Sequence, residues 1–98
     1  MESRQAFGQV LRMARKRKAI SQETFSEVSS RTYISGLERG LKNPTLEKID
    51  QISTQIGVHP LTLLAATFAL RDGTPLEALL GKISKELEQL FDDKDLPH

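Results

Sequence analysis

No cysteine occurs in the chain. Disulfide frameworks and thiolate metal sites are therefore excluded, and a reducing cytoplasm suits the protein. Histidine is scarce: His59 has no second histidine near it until His98 on the tail. A lone imidazole next to Pro60 is far more often a helix cap or turn residue than a ligand or a base. Neither a metal nor a cofactor is expected. No Cys–His or Ser–His–Asp set is available, no glycine-rich phosphate loop appears, and the carboxylates are scattered, so the chain does not read as an enzyme. The longest apolar stretch, Leu61–Leu70, is too short to span a membrane and carries two threonines. Glu2 and Arg4 precede only a scattered apolar face, so no signal peptide is read, and a cytoplasmic location is expected.

What the chain does have is an uneven charge. Residues 1–48 hold ten Lys or Arg against five Glu, a net of +5, and residues 49–98 hold four against eight Asp or Glu, a net of −4. Ordinary surface scatter explains this about as well as a polyanion-facing half does, until the basic half is found to carry a motif. Ninety-eight residues make one small domain with a marginal core that would gain from dimerisation.

The motif is Ile20–Gly40, ISQETFSEVSSRTYISGLERG. Two short helices joined by a tight turn fit it. Ser21 suits the N-cap of the first, with Glu23 placed well for the helix dipole. Ser29 or Ser30 suits the N-cap of the second, which Gly40 stops. Ile34 and Leu37 share one face and should point inward. Arg31, Thr32, Ser35 and Gly36 then form a short polar face of the kind that enters a DNA major groove, with small residues and a forked donor. The second helix, about Ser30–Arg39, is the predicted recognition helix.

The strings SQETFSEV and SRTYISGLERGLKNPTLEKI resemble the Xre/Cro-like helix-turn-helix family of phage repressors and restriction–modification controller proteins. The resemblance covers about Ala6–Ala65. It implies a five-helix repressor-like domain that binds double-stranded DNA. It implies that Arg15 pairs with Glu38, tying the first helix to the end of the recognition helix and setting an arginine beside the phosphates. Base contact is implied at Arg31, Thr32, Ser35 and Gly36; Arg31 suits the O6 and N7 of guanine, and Thr32 offers a methyl to thymine. Phosphate contact is implied at Gln22, Tyr33, Arg39, Lys42, Asn43 and Arg15, with a packing role open for Tyr33. The connection before Ser30 is two residues shorter than is usual in the family. The first helix of the motif should lose half a turn, or the connection should be unusually compact.

Around the motif, Phe7, Val10, Leu11 and Ala14 make the core stripe of a first helix, about Arg4–Lys18, with Ser3 as cap. Ala19 stands where a helix-ending glycine is common, and at positive φ it would be strained. After the Leu41–Pro44 loop, Thr45 caps a helix that buries Leu46, Ile49, Ile52 and Ile56 and ends at Gly57. Pro60 opens the next, to about Leu70, with Leu61, Leu64, Ala65 and Phe68 on one stripe and Leu63, Thr67 and Leu70 off it. Thr74–Glu77 reads as a capping box before a last amphipathic helix carrying Leu76, Leu79, Leu80, Ile83, Leu87, Leu90 and Phe91. Residues 92–98 read as a frayed charged tail.

The expectation is thus an all-α chain. Residues 1–70 form the helix-turn-helix domain, and residues 71–91 a dimerising extension that uses Leu63, Leu70, Leu80, Ile83 and Leu87. The function expected is that of a transcriptional regulator, a repressor, binding a pseudo-palindromic operator as a homodimer. The other class weighed is a protein-interaction module, such as an antitoxin that masks a toxin partner.

Overall fold

Helix is the only regular structure among the described residues, 1–96 of a computed structural model, so the all-α expectation holds. The order is α1 (Ser3–Arg17), a 3₁₀ segment (Gln22–Phe25), α2 (Arg31–Glu38), α3 (Leu46–Ile56), α4 (Pro60–Asp72) and α5 (Leu76–Leu90). Pro97 and His98, at the end of the expected tail, lie outside the described residues.

Local chemistry accounts for most boundaries. Ser30 Oγ accepts from Tyr33 N and Thr45 Oγ1 from Lys48 N, both at 3.1 Å, so each satisfies a free donor of its helix. His59 acts as a cap, its Nδ1 accepting from Leu61 N at 2.9 Å ahead of Pro60. Gly57 and Gly73 end α3 and α4 at positive φ. Ala19 also takes a positive φ, 55°, where a Cβ is strained. The helix-turn-helix connection is short at the cost of its first helix. Only the four residues Gln22–Phe25 are helical, as a 3₁₀ segment, with a chain of turns up to Ser30.

Two expected caps are replaced. Glu2, not Ser3, is the N-cap of α1: Gln5 reaches back so that its Oε1 accepts from Glu2 N at 3.2 Å. Ser3 Oγ instead accepts from Arg71 Nη1 at 2.9 Å, joining the start of α1 to the end of α4. The capping box at Thr74–Glu77 does not form. Pro75 occupies the cap position, one residue late, and no side chain caps α5.

One core gathers Phe7, Val10 and Leu11 of α1, Phe25 of the 3₁₀ segment, Ile34 and Leu37 of α2, Ile49, Ile52 and Ile56 of α3, and Leu63 of α4. Leu46 is not part of it. As the first residue of α3 it projects past the packed face and is 79% exposed. The face assigned to α4 is also corrected. Leu63 and Thr67 point inward, Leu63 only 2% exposed, while Leu61 and Leu70 face outward. α4 is apolar nearly all round, so its sequence carries little rotational preference; its neighbours decide which side is covered. The Thr67 hydroxyl escapes an unsatisfied burial by donating to Leu63 O at 2.7 Å.

α1 lies against both α2 and α4, and Gly8 permits the approach to α2. A Cβ at Gly8 would stand 2.3 Å from Leu37 O and 2.8 Å from Glu38 O. α5 packs on α4 and buries none of its own residues completely. No helix among the described residues is long and apolar enough to cross a membrane.

Candidate nucleic-acid interface

α2 is fixed from behind. Ile34 and Leu37 are fully buried, as the three-residue spacing requires. At its C-terminal end, Arg15 donates from Nε to Glu38 Oε2 at 2.6 Å and from Nη2 to Glu38 Oε1 at 2.8 Å. Its remaining Nη1 donates to Ile20 O at 3.1 Å, and Gln22 Nε2 donates to Glu38 Oε1 at 3.2 Å. One carboxylate thereby joins α1, the 3₁₀ segment and α2. The hydrogen bonds and charge of Glu38 hold the Arg15 guanidinium above its ordinary pKa, against a smaller opposing effect of burial. Arg15 and Gln22 are thus both engaged with Glu38, and both remain partly exposed along a cleft they share with Glu23 and Arg31. Arg15 has every nitrogen engaged and a side chain only 13% exposed, which is the structural pairing with Glu38 that the resemblance implied.

The opposite side of α2 is open. Arg31 and Thr32 are exposed in its first turn, and Ser35 is half-exposed one turn on. Arg31 Nη1 lies 3.3 Å from Glu23 Oε1, in a pair with both side chains about 70% exposed. Gly36 does not share this openness. It is buried, and the aliphatic stem of Lys42 covers it, with Cε 3.1 Å from where a Cβ would stand. The polar face is therefore narrower than the sequence suggested, ending at Ser35.

Cations rim this face. Arg39, Lys42 and Asn43 are exposed at the end of α2 and in the loop that follows. Tyr33 is half-buried, and its ring packs against the core. Lys42 Nζ lies 5.5 Å and Lys48 Nζ 5.9 Å from that ring, so both ammonium groups are attracted by its π face. Lys48 was not anticipated. Its ammonium also donates to the Val28 carbonyl, closing the turn between the 3₁₀ segment and α2 onto α3. Its spacing from Thr45 gives no sign of this, because the acceptor is a backbone atom twenty positions away. Among the described residues no group of three or more His, Cys, Asp or Glu is placed to hold a metal.

Comparison with known proteins agrees with the helix-turn-helix fold. Residues 11–63 match the family model described as helix-turn-helix. The control protein C.BamHI of Bacillus amyloliquefaciens is 45% identical over 64 residues, which span 62% of this chain and 79% of that protein. The restriction-modification controller protein C.AhdI from Aeromonas hydrophila superposes with a TM-score of 0.58 at 37% identity, over 61% of this chain and 94% of that one. The clp gene regulator ClgR from Corynebacterium glutamicum covers 91% of this chain and 94% of its own, with a TM-score of 0.69 at 25% identity.

Proposed function

The chain belongs to the helix-turn-helix family of DNA-binding regulators, and we propose that it represses transcription by binding a pseudo-palindromic operator as a homodimer. The observation that carries this reading is the two-sided α2: Ile34 and Leu37 are locked in the core while Arg31, Thr32 and Ser35 stand on the solvent face. Small side chains and one forked donor on a fixed helix suit a major groove. Arg31 reads guanine through O6 and N7, Thr32 offers its methyl to thymine, and Ser35 reaches the next base edge. Arg39, Lys42, Asn43 and the Tyr33 hydroxyl hold the phosphates on either side and so set the depth and register of the helix.

Residues 1–70 do the reading, and residues 71–91 hold two copies together. Each copy reads one half-site, and the half-sites lie about 34–36 Å apart, one turn of DNA. Selecting bound sites from a random DNA pool tests the proposal. Inverted half-sites containing guanine should be enriched, and Arg31→Ala should cost about 1–3 kcal/mol on the selected site while sparing unrelated DNA. A pool that emerges unenriched would overturn it.

A further inference from the structure

We propose that Glu23 determines specificity by holding the Arg31 guanidinium for guanine and cancelling its charge toward phosphates. This rests on the assignment of Arg31 as a base reader. The contact is one-sided: only Nη1 of Arg31 meets Glu23 Oε1, at 3.3 Å. The other edge of the guanidinium, Nε with Nη2, stays free, and that edge is enough for the two acceptors of guanine. Glu23 can therefore keep its hold while Arg31 reads a base.

Glu23 is well anchored for this task. It sits inside the 3₁₀ segment between Gln22, whose amide bonds Glu38 at 3.2 Å, and Phe25, two residues on and fully buried. Arg15, Ser21, Gln22, Glu23 and Arg31 line one shallow cleft, so the carboxylate is displayed from a braced wall.

An unpaired arginine at the groove would be attracted to any phosphate and would add to binding on every sequence. With Glu23 beside it, that general attraction is cancelled, and the carboxylate is itself repelled by the backbone. Guanine restores the gain because it adds directed hydrogen bonds that the ion pair leaves unused. The pair is exposed and hence weak, so Glu23 tunes discrimination without blocking the site.

Glu23→Gln keeps the shape of the side chain and removes its charge. Affinity for unrelated DNA should rise about two- to fivefold, the worth of an exposed ion pair. Its salt dependence should steepen by about one unit of slope. Affinity for the selected operator should rise less, so the ratio between the two falls. Glu27→Gln removes an equal charge from the neighbouring exposed turn and should move both DNAs alike, leaving the ratio intact. In an Arg31→Ala background, Glu23→Gln should likewise leave the ratio unchanged. A Glu23→Gln protein that melts as the parent does, yet keeps the parent's ratio, would overturn the proposal. A parent protein with no preference for any site would overturn the base-reading assignment first, and this proposal with it.

Discussion

Arg15 and Glu38 are 23 positions apart in the chain, yet they meet edge to edge, Nε and Nη2 of the guanidinium on the two carboxylate oxygens at 2.6 and 2.8 Å. With side chains 13% and 4% exposed, this is a largely desolvated pair, in which the loss of one partner strands the other. Glu38→Ala should therefore cost about 3–5 kcal/mol in urea denaturation, far more than an exposed pair would. The pair should show no alkaline weakness at ordinary pH. The Arg15 pKa is raised on folding, so its contribution is complete below the unfolded value and declines only as pH climbs toward the folded one. Both lie above the working range. A Glu38→Ala protein as stable as the parent would show that the pair is not what joins α1 to α2.

Gly8 gives a second test of the same junction. In an open helix interior, alanine in place of glycine adds about 0.5–1 kcal/mol of stability. Here the new methyl would meet backbone oxygens at 2.3 and 2.8 Å, and backbone cannot swing aside as a side chain can. Overpacking of this kind costs about 1–3 kcal/mol, so the steric effect wins. Gly8→Ala should lower the melting temperature. Gly81→Ala in α5, where nothing lies within 4 Å of the new atom, should raise it. Equal shifts at both positions would contradict the close approach.

Much of this was legible in the sequence because it follows from short-range chemistry. The caps at Ser30, Thr45 and His59, the stops at Gly40 and Gly57, and the inward Ile34 and Leu37 all depend on neighbours within a few positions. What was not legible depended on distant partners. The stem of Lys42 covers Gly36, and the Gln22 amide joins the Arg15–Glu38 pair that the resemblance had implied. Leu63 turns inward on a helix whose own pattern is nearly symmetric. The 3₁₀ segment lies between. The short connection left room for either a truncated helix or a tight turn, and the structure has the truncated one, a 3₁₀ segment that ends on the fully buried Phe25.

Lys42 separates charge from packing at the phosphate rim. Its stem covers Gly36 while its ammonium remains exposed near Tyr33. Lys42→Met preserves the stem and removes the charge. Binding should weaken by a similar factor on all sequences, with a salt slope shallower by about one. Lys42→Ala should add a loss of stability that Lys42→Met lacks. Weakening confined to the operator would instead make Lys42 a base reader.

The last prediction concerns α5. A helix that packs chiefly on one neighbour and buries no residue completely is poorly stabilised alone, because helix propensity contributes little without a covered face. Leu70, Leu76, Leu80, Leu87, Leu90 and Phe91 are all exposed, and Ile83 is half-buried. Leu61, Ala65, Leu76 and Leu80 continue this surface as a cleft between α4 and α5. Of the five residues expected at the dimer contact, Leu63 is already taken by the core, Leu70, Leu80 and Leu87 are exposed, and Ile83 is half-buried. A second copy related by a two-fold axis would cover both helices at once and present two α2 helices to one side of a duplex. The unaltered protein should sediment as a dimer of its 11.0 kDa chain at micromolar concentration without DNA. Leu87→Glu, at a residue 49% exposed within the chain, should leave the fold of residues 1–70 intact by circular dichroism. It should yield monomers that lose operator binding and keep weak, salt-sensitive affinity for any DNA. A monomeric parent protein would overturn the homodimer, and a Leu87→Glu dimer would place its contact elsewhere.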